Sequence, residues 1–109
     1  MKRNGVWALV WIMTVSPAVF AAGNAAAGKA VYMKHCAACH AEDGNGKDAI
    51  AKMMKATIPP LPSKEVQALS DDELRKVITD GKDKMKPVKD LSAEDTTNII
   101  AFIRSLAKK

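Results

Sequence analysis

The chain has 109 residues, 48% of them hydrophobic but only 5% aromatic, and a formal net charge of +5 at pH 7. That length allows one domain at most. The basic charge is mainly lysine, with no arginine cluster and no aromatics interleaved among the basic residues, which excludes the usual nucleic-acid-binding footprint.

Lys2 and Arg3 precede an apolar run from Gly5 to Val15, followed by "SPAVFAA", in which Val19 and Ala21 stand at the −3 and −1 positions of a peptidase site. A positive start, a short apolar centre and a small-residue end define a secretory signal peptide over residues 1–21. The domain is then 22–109, located in the periplasm with no stable membrane insertion after processing. An uncleaved anchor is the alternative, but the run falls short of the roughly 20 residues a span needs unless it is extended across Ser16 and Pro17. Cleavage removes Trp7 and Trp11, leaves Tyr32 and Phe102 as the aromatics, and lowers the charge by two. A core so small and so poor in rings calls for a disulfide, a metal or a cofactor to complete it.

Taken in chain order, the rest reads as all-α. Ala25 to Cys36 forms a first helix with Gly28, Val31, Tyr32 and His35 on one face. "AEDGNGKD" is a loop in which Gly44 and Gly46 are free to take positive φ. Ile50, Met53, Met54 and Thr57 share a face of a short second helix. "TIPPLPS" contains three prolines and reads as a stiff extended loop. Ser70 and Glu73 form a capping box, Leu69 and Leu74 a hydrophobic staple, and Gly81 a left-handed stop for the next helix, whose apolar face is Leu74, Val77 and Ile78. After the loop "KDKMKPVKD", Ser92 and Asp95 start a last helix with the stripe Ile99, Phe102, Ile103 and Leu106.

Both cysteines and both histidines fall in "HCAACH", residues 35–40. A C-x-x-C disulfide closes too small a loop to add much stability, and a redox pair of that type usually opens a helix after a strand, a pattern missing here. Structural zinc needs four ligands, and closing them from one turn is awkward. The third reading uses every residue of C-x-x-C-H: Cys36 and Cys39 attach one haem c as thioethers, and His40 ligates its iron. His35 is then a helix-end surface residue.

For the other axial position, Met33 is too near the attachment point, and Met53 and Met54 sit on an apolar stripe of the kind core-filling methionines occupy. Met85 stands alone among Lys82, Lys84, Lys86 and Lys89 and has no helical stripe to join, which favours it as the ligand. An exposed loop methionine, or a Met53 or Met54 ligand, remains the alternative.

Order and motifs resemble the class I monohaem c-type cytochromes over nearly all of the processed chain, from Gly28 to about Leu106. The resemblance implies about four helices wrapped around one covalently bound haem. It matches Gly28, Tyr32 and Phe102 to the packing of the first helix on the last. It assigns the Pro59 carbonyl to the ring N–H of His40, a device that orients a metal-bound histidine, and Leu61 to the haem face. Lys86 stands between Met85 and Pro87, where the family commonly has proline directly after the methionine, and Pro60 follows Pro59.

A His40/Met85 pair leaves the iron no open position, which suits electron transfer rather than enzyme chemistry. The implied protein is a monomeric periplasmic carrier of single electrons between a redox-protein donor and acceptor. The lysines around Met85 either face acidic docking surfaces or, interrupted by Asp80, Asp83 and Asp90, form an ordinary solvated face. Two alternatives stand beside it: an open-site haem protein that reduces peroxide or binds gases, and an electron-transfer subunit of a larger oxidoreductase.

Overall fold

A computed structural model of the chain describes residue 5 and residues 23–107. Apart from Gly5, the segment read as a signal peptide and its cleavage site lie outside the described residues. Among them the regular structure is helical: α1 (Ala25–His35), α2 (Ala37–His40), α3 (Asp48–Met54), α4 (Lys64–Gln67), α5 (Asp71–Asp80) and α6 (Ala93–Ser105). The all-α expectation holds. The count rises from about four because α2 and α4 are single turns too short to show a periodicity of their own.

Each long helix starts where a side-chain oxygen meets the free N–H groups of its first turn. Asn24 accepts from the Ala27 N–H at the start of α1, and Ser63 caps α4 in the same way. The box expected at α5 is half made: Ser70 Oγ accepts from the Glu73 N–H at 3.1 Å, with no reciprocal bond. The full box forms at α6, where Ser92 Oγ accepts from the Asp95 N–H at 3.0 Å and Asp95 accepts from the Ser92 N–H at 3.3 Å. Leu74 is part of the core and Leu69 packs against that core, the two sides on which the expected staple would close.

The core is built on the crossing of α1 and α6. Gly28 is buried where the two backbones touch: a β-carbon there would lie 1.8 Å from the Asn98 carbonyl oxygen. One turn on, Tyr32 meets Phe102 with ring centroids 4.8 Å apart and planes tilted by 55°, a geometry worth about 0.5–1.5 kcal/mol beyond the area it buries. Ile99, Ile100 and Ile103 of α6, Leu74 and Ile78 of α5, Val66 of α4 and Leu61 complete the cluster. Full burial of such side chains contributes about 1.5–3 kcal/mol each. Asn24 N–H also donates to Asn98 Oδ1 at 2.8 Å, pinning the start of α1 to α6.

The face expected on α3 is only partly apolar and inward. Ile50 and Met54, four residues apart, are half-buried, but Met53 is 72% exposed. Thr57 lies beyond the helix, which ends when Lys55 turns left-handed at φ 51°, ψ 47°. A seven-residue helix makes fewer than two full turns, so the spacing from Ile50 to Thr57 exceeds it.

Candidate haem-attachment site

Cys36 closes α1 and opens α2 at once, with φ −118° and ψ −33°, so the chain bends where the motif begins. Backbone hydrogen bonds then hold the motif as one compact turn. The Cys36 N–H donates to the Tyr32 carbonyl at 2.7 Å, His40 to Cys36 at 3.0 Å and Ala41 to Ala37 at 3.0 Å. The following loop folds back on it, Gly46 N–H donating to the His40 carbonyl at 2.8 Å and Lys47 N–H to that of Cys39 at 2.9 Å. Gly44 and Gly46 supply the positive φ expected of them, 80° and 85°.

Both cysteines are free thiols, Cys36 buried and Cys39 half-buried. Burial pushes the Cys36 thiol up to about 11, with Cys39 nearby adding to the shift, so it is protonated at neutral pH. Burial lowers the pKa of His40 and keeps its imidazole neutral, the form that ligates metals. The Nδ1 of His40 is buried and has no hydrogen-bond partner. Among the described residues, no three or more His, Cys, Asp or Glu side chains converge as a metal cluster. Two unpaired thiols beside a neutral, half-buried imidazole with an orphaned, buried nitrogen fit attachment of a haem better than a disulfide or a zinc centre.

Of the residues expected around this turn, Leu61 is buried and tied to it: the Leu61 N–H donates to the Gly44 carbonyl at 2.9 Å. Gly44 makes room for that approach, since a β-carbon on it would come within 3.1 Å of Leu61 Cβ and 2.8 Å of Leu106 Cδ1. Pro59 lies exposed on the same loop and does not accept from His40.

Met85 is placed on a separate loop after α5 and is half-buried, whereas Lys82, Lys84, Lys86 and Lys89 around it are exposed. Lys82 and Met85 exchange backbone hydrogen bonds of 2.9 and 2.8 Å across a tight reversal, with Asp83 at φ 52°. Gly81, at φ 80° and ψ 169°, ends α5 in a conformation open to glycine rather than in the left-handed helical region expected. A β-carbon there would meet the Met85 carbonyl oxygen at 2.6 Å. Val88 N–H donates to the Ile78 carbonyl at 2.9 Å and returns the loop to α5.

Three polar side chains that secure this frame have no local signature in the sequence. Tyr32 OH donates to the Ala41 carbonyl at 2.6 Å. Gln67 Nε2 donates to the carbonyls of Leu61 and Ile103, both at 2.9 Å, joining the proline loop to α6. Arg104 reaches from α6 to the Gln67 and Leu69 carbonyls and to Asp71, joining α6 to the α4–α5 turn. Their partners lie 6 to 37 residues away and on other elements, which no spacing within one helix announces.

Comparison with known proteins agrees with this geometry. The family model described as "Cytochrome C oxidase, cbb3-type, subunit III" matches residues 23–103. The chain belongs to this family and is a small class I c-type cytochrome. Among solved structures it is similar to the KustC0563 c-type cytochrome, with 30% identity and a TM-score of 0.65 over 74% of this chain and 98% of that one. It is also similar to cytochrome cL from Hyphomicrobium denitrificans, with 27% identity and a TM-score of 0.61 over 83% of this chain and 51% of that one. The chain thus spans about half the length of that cytochrome cL. No curated protein matches it. Membership implies a haem c cofactor and a part in electron transfer with redox partners. No helix among the described residues is long and apolar enough to cross a membrane.

Proposed function

We propose that the protein is an exported, monomeric carrier of single electrons, with one haem c attached through Cys36 and Cys39 and held axially by His40 and Met85. The observation that carries this reading is the turn at residues 36–40, where two free thiols adjoin a neutral, half-buried imidazole whose Nδ1 is buried and unpartnered. Once bound, the haem supplies an iron centre that gains or loses one electron. The chain's own residues do the rest. His40 presents its neutral ring from a turn locked by backbone bonds, and the Pro59 carbonyl, not bonded to its unpartnered Nδ1 in this structure, would accept from that ring nitrogen once the haem is bound. Leu61 covers the haem with apolar surface. Met85, held at the end of a closed reversal, brings a neutral thioether, which favours the reduced state. With His40 and Met85 both holding the iron, no position would be left for substrate. The exposed lysines flanking Met85 steer the carrier toward acidic surfaces on donor and acceptor. Residues 1–21 are read as the export signal, and periplasmic location rests on them.

The test is the optical spectrum of periplasm-matured protein, wild type beside Met85→Ala. A low-spin ferric spectrum with the weak long-wavelength band of methionine ligation, lost in the variant, is the expected result. A high-spin wild-type spectrum with ready CO binding on reduction would instead support the open-site reading.

A further inference from the structure

We propose that Tyr32 is a positioning residue for His40, its hydroxyl fixing the turn that carries the imidazole. This rests on the reading of His40 as the axial ligand. Ala41, directly after His40, has φ 64° and ψ 167°, a region populated almost only by glycine and costing a residue with a β-carbon about 1–3 kcal/mol. Such a conformation persists only when its surroundings impose it. Tyr32 supplies that constraint: it is fully buried and donates to the Ala41 carbonyl at 2.6 Å. Among the described residues, it is the only side chain hydrogen-bonded to residues 36–41.

The anchor at the other end of this bond is rigid. The Tyr32 ring lies against Phe102 of α6, one turn from the contact of Gly28 with Asn98. The hydroxyl therefore transmits the position of the α1–α6 crossing to the residue after His40. The Ala41 carbonyl also accepts from the Gly44 N–H, at a longer 3.2 Å. That bond reaches the core through Gly44 and Leu61, whereas the Tyr32 hydroxyl joins the motif directly to the α1–α6 crossing. Burial pushes the Tyr32 phenol up, so the hydroxyl keeps the proton it donates.

Tyr32→Phe keeps the ring and its contact with Phe102 and removes only the hydroxyl. The experiment compares proton NMR spectra of the ferric, haem-loaded protein, reading the hyperfine-shifted resonances of the haem methyls and the His40 ring, which report the ligand's orientation. The control is Ile100→Val, a buried change on the part of α6 that lines a groove with Gly23, Ala25 and Arg75 and that makes no side-chain hydrogen bond to the motif. Both variants lose some thermal stability. The expected result is that the haem-methyl and His40 resonances move in Tyr32→Phe and stay in place in Ile100→Val. Coincident resonances in Tyr32→Phe and wild type would overturn the proposal and leave Tyr32 a packing residue. Wild-type protein with covalent haem but no shifted His40 ring resonances would overturn the reading of His40 as ligand, and this proposal with it.

Discussion

The α-carbon of Gly28 lies so close to Asn98 that a β-carbon on it would sit 1.8 Å from the Asn98 carbonyl oxygen and 2.3 Å from its carbonyl carbon. Backbone cannot rotate out of the way as a side chain can. Gly28→Ala must therefore part α1 from α6, and the separation reaches Tyr32 and Phe102. Overpacking typically costs about 1–3 kcal/mol, and here the loss is expected at or above the upper end. Thermal unfolding of the haem-loaded protein checks this.

Arg104 offers a test of which contacts matter in a polar network. Its guanidinium serves two main-chain carbonyls, the side-chain oxygen of Gln67 at a longer 3.4 Å, and one carboxylate, that of Asp71, whose side chain is 58% exposed. Exposed ion pairs contribute less than about 1 kcal/mol, whereas hydrogen bonds from a charged donor to carbonyls are worth more. Arg104→Met should cost about 2 kcal/mol and Asp71→Asn less than about 1 kcal/mol in chemical denaturation. Equal losses would place the energy in the ion pair.

Gly81 and Met85 are coupled through the main chain. A β-carbon on Gly81 would meet the Met85 carbonyl oxygen at 2.6 Å and Pro87 Cδ at 2.8 Å, at a φ of 80° that side chains disfavour. Gly81→Ala is expected to cost about 1–3 kcal/mol and to displace the reversal that presents Met85. If Met85 is the axial ligand, the long-wavelength methionine band weakens in this variant while the covalent haem remains. An unchanged band would separate Met85 from the haem.

The single tyrosine of the chain gives a pH signature. Tyr32 has its pKa raised above the ordinary 10.0, first by burial and then by Cys36 and Asp43. The unfolded chain then loses this proton at a lower pH than the folded one. The stabilisation is fully present below pH 10 and is lost as pH rises above it. Wild type should therefore lose stability more steeply than Tyr32→Phe in denaturant titrations above pH 10. Parallel slopes would mean that the phenol ionises as readily in the folded protein.

The attachment motif was legible because its chemistry is local. Cys36, Cys39 and His40 occupy one turn, so their spacing alone places two thiols and an imidazole together. The helix starts at Ser70 and Ser92 and the stripe on α6 are local in the same sense, since capping and periodicity act within a few residues. The resemblance to class I c-type cytochromes added Tyr32 and Phe102 as a packed pair, and the ring contact agrees with it.

Tertiary structure decided what depends on long-range contact. On α3 the apolar spacing suggested one buried face, but Met53 is exposed, because the left-handed turn at Lys55 ends the helix and its surroundings cover only Ile50 and Met54. Ala41 carries no sign in the sequence of its positive φ; that conformation exists because Tyr32, nine residues away, holds the carbonyl. Arg104 and Gln67 read as ordinary polar residues, yet they satisfy carbonyls at the turns that frame the site. The sequence by itself determined the residues that can bond to a haem, through side-chain chemistry at fixed spacing. The crossing of α1 on α6 decided how rigidly that turn is held, because its hydrogen-bond partners are set by which distant backbones come into contact.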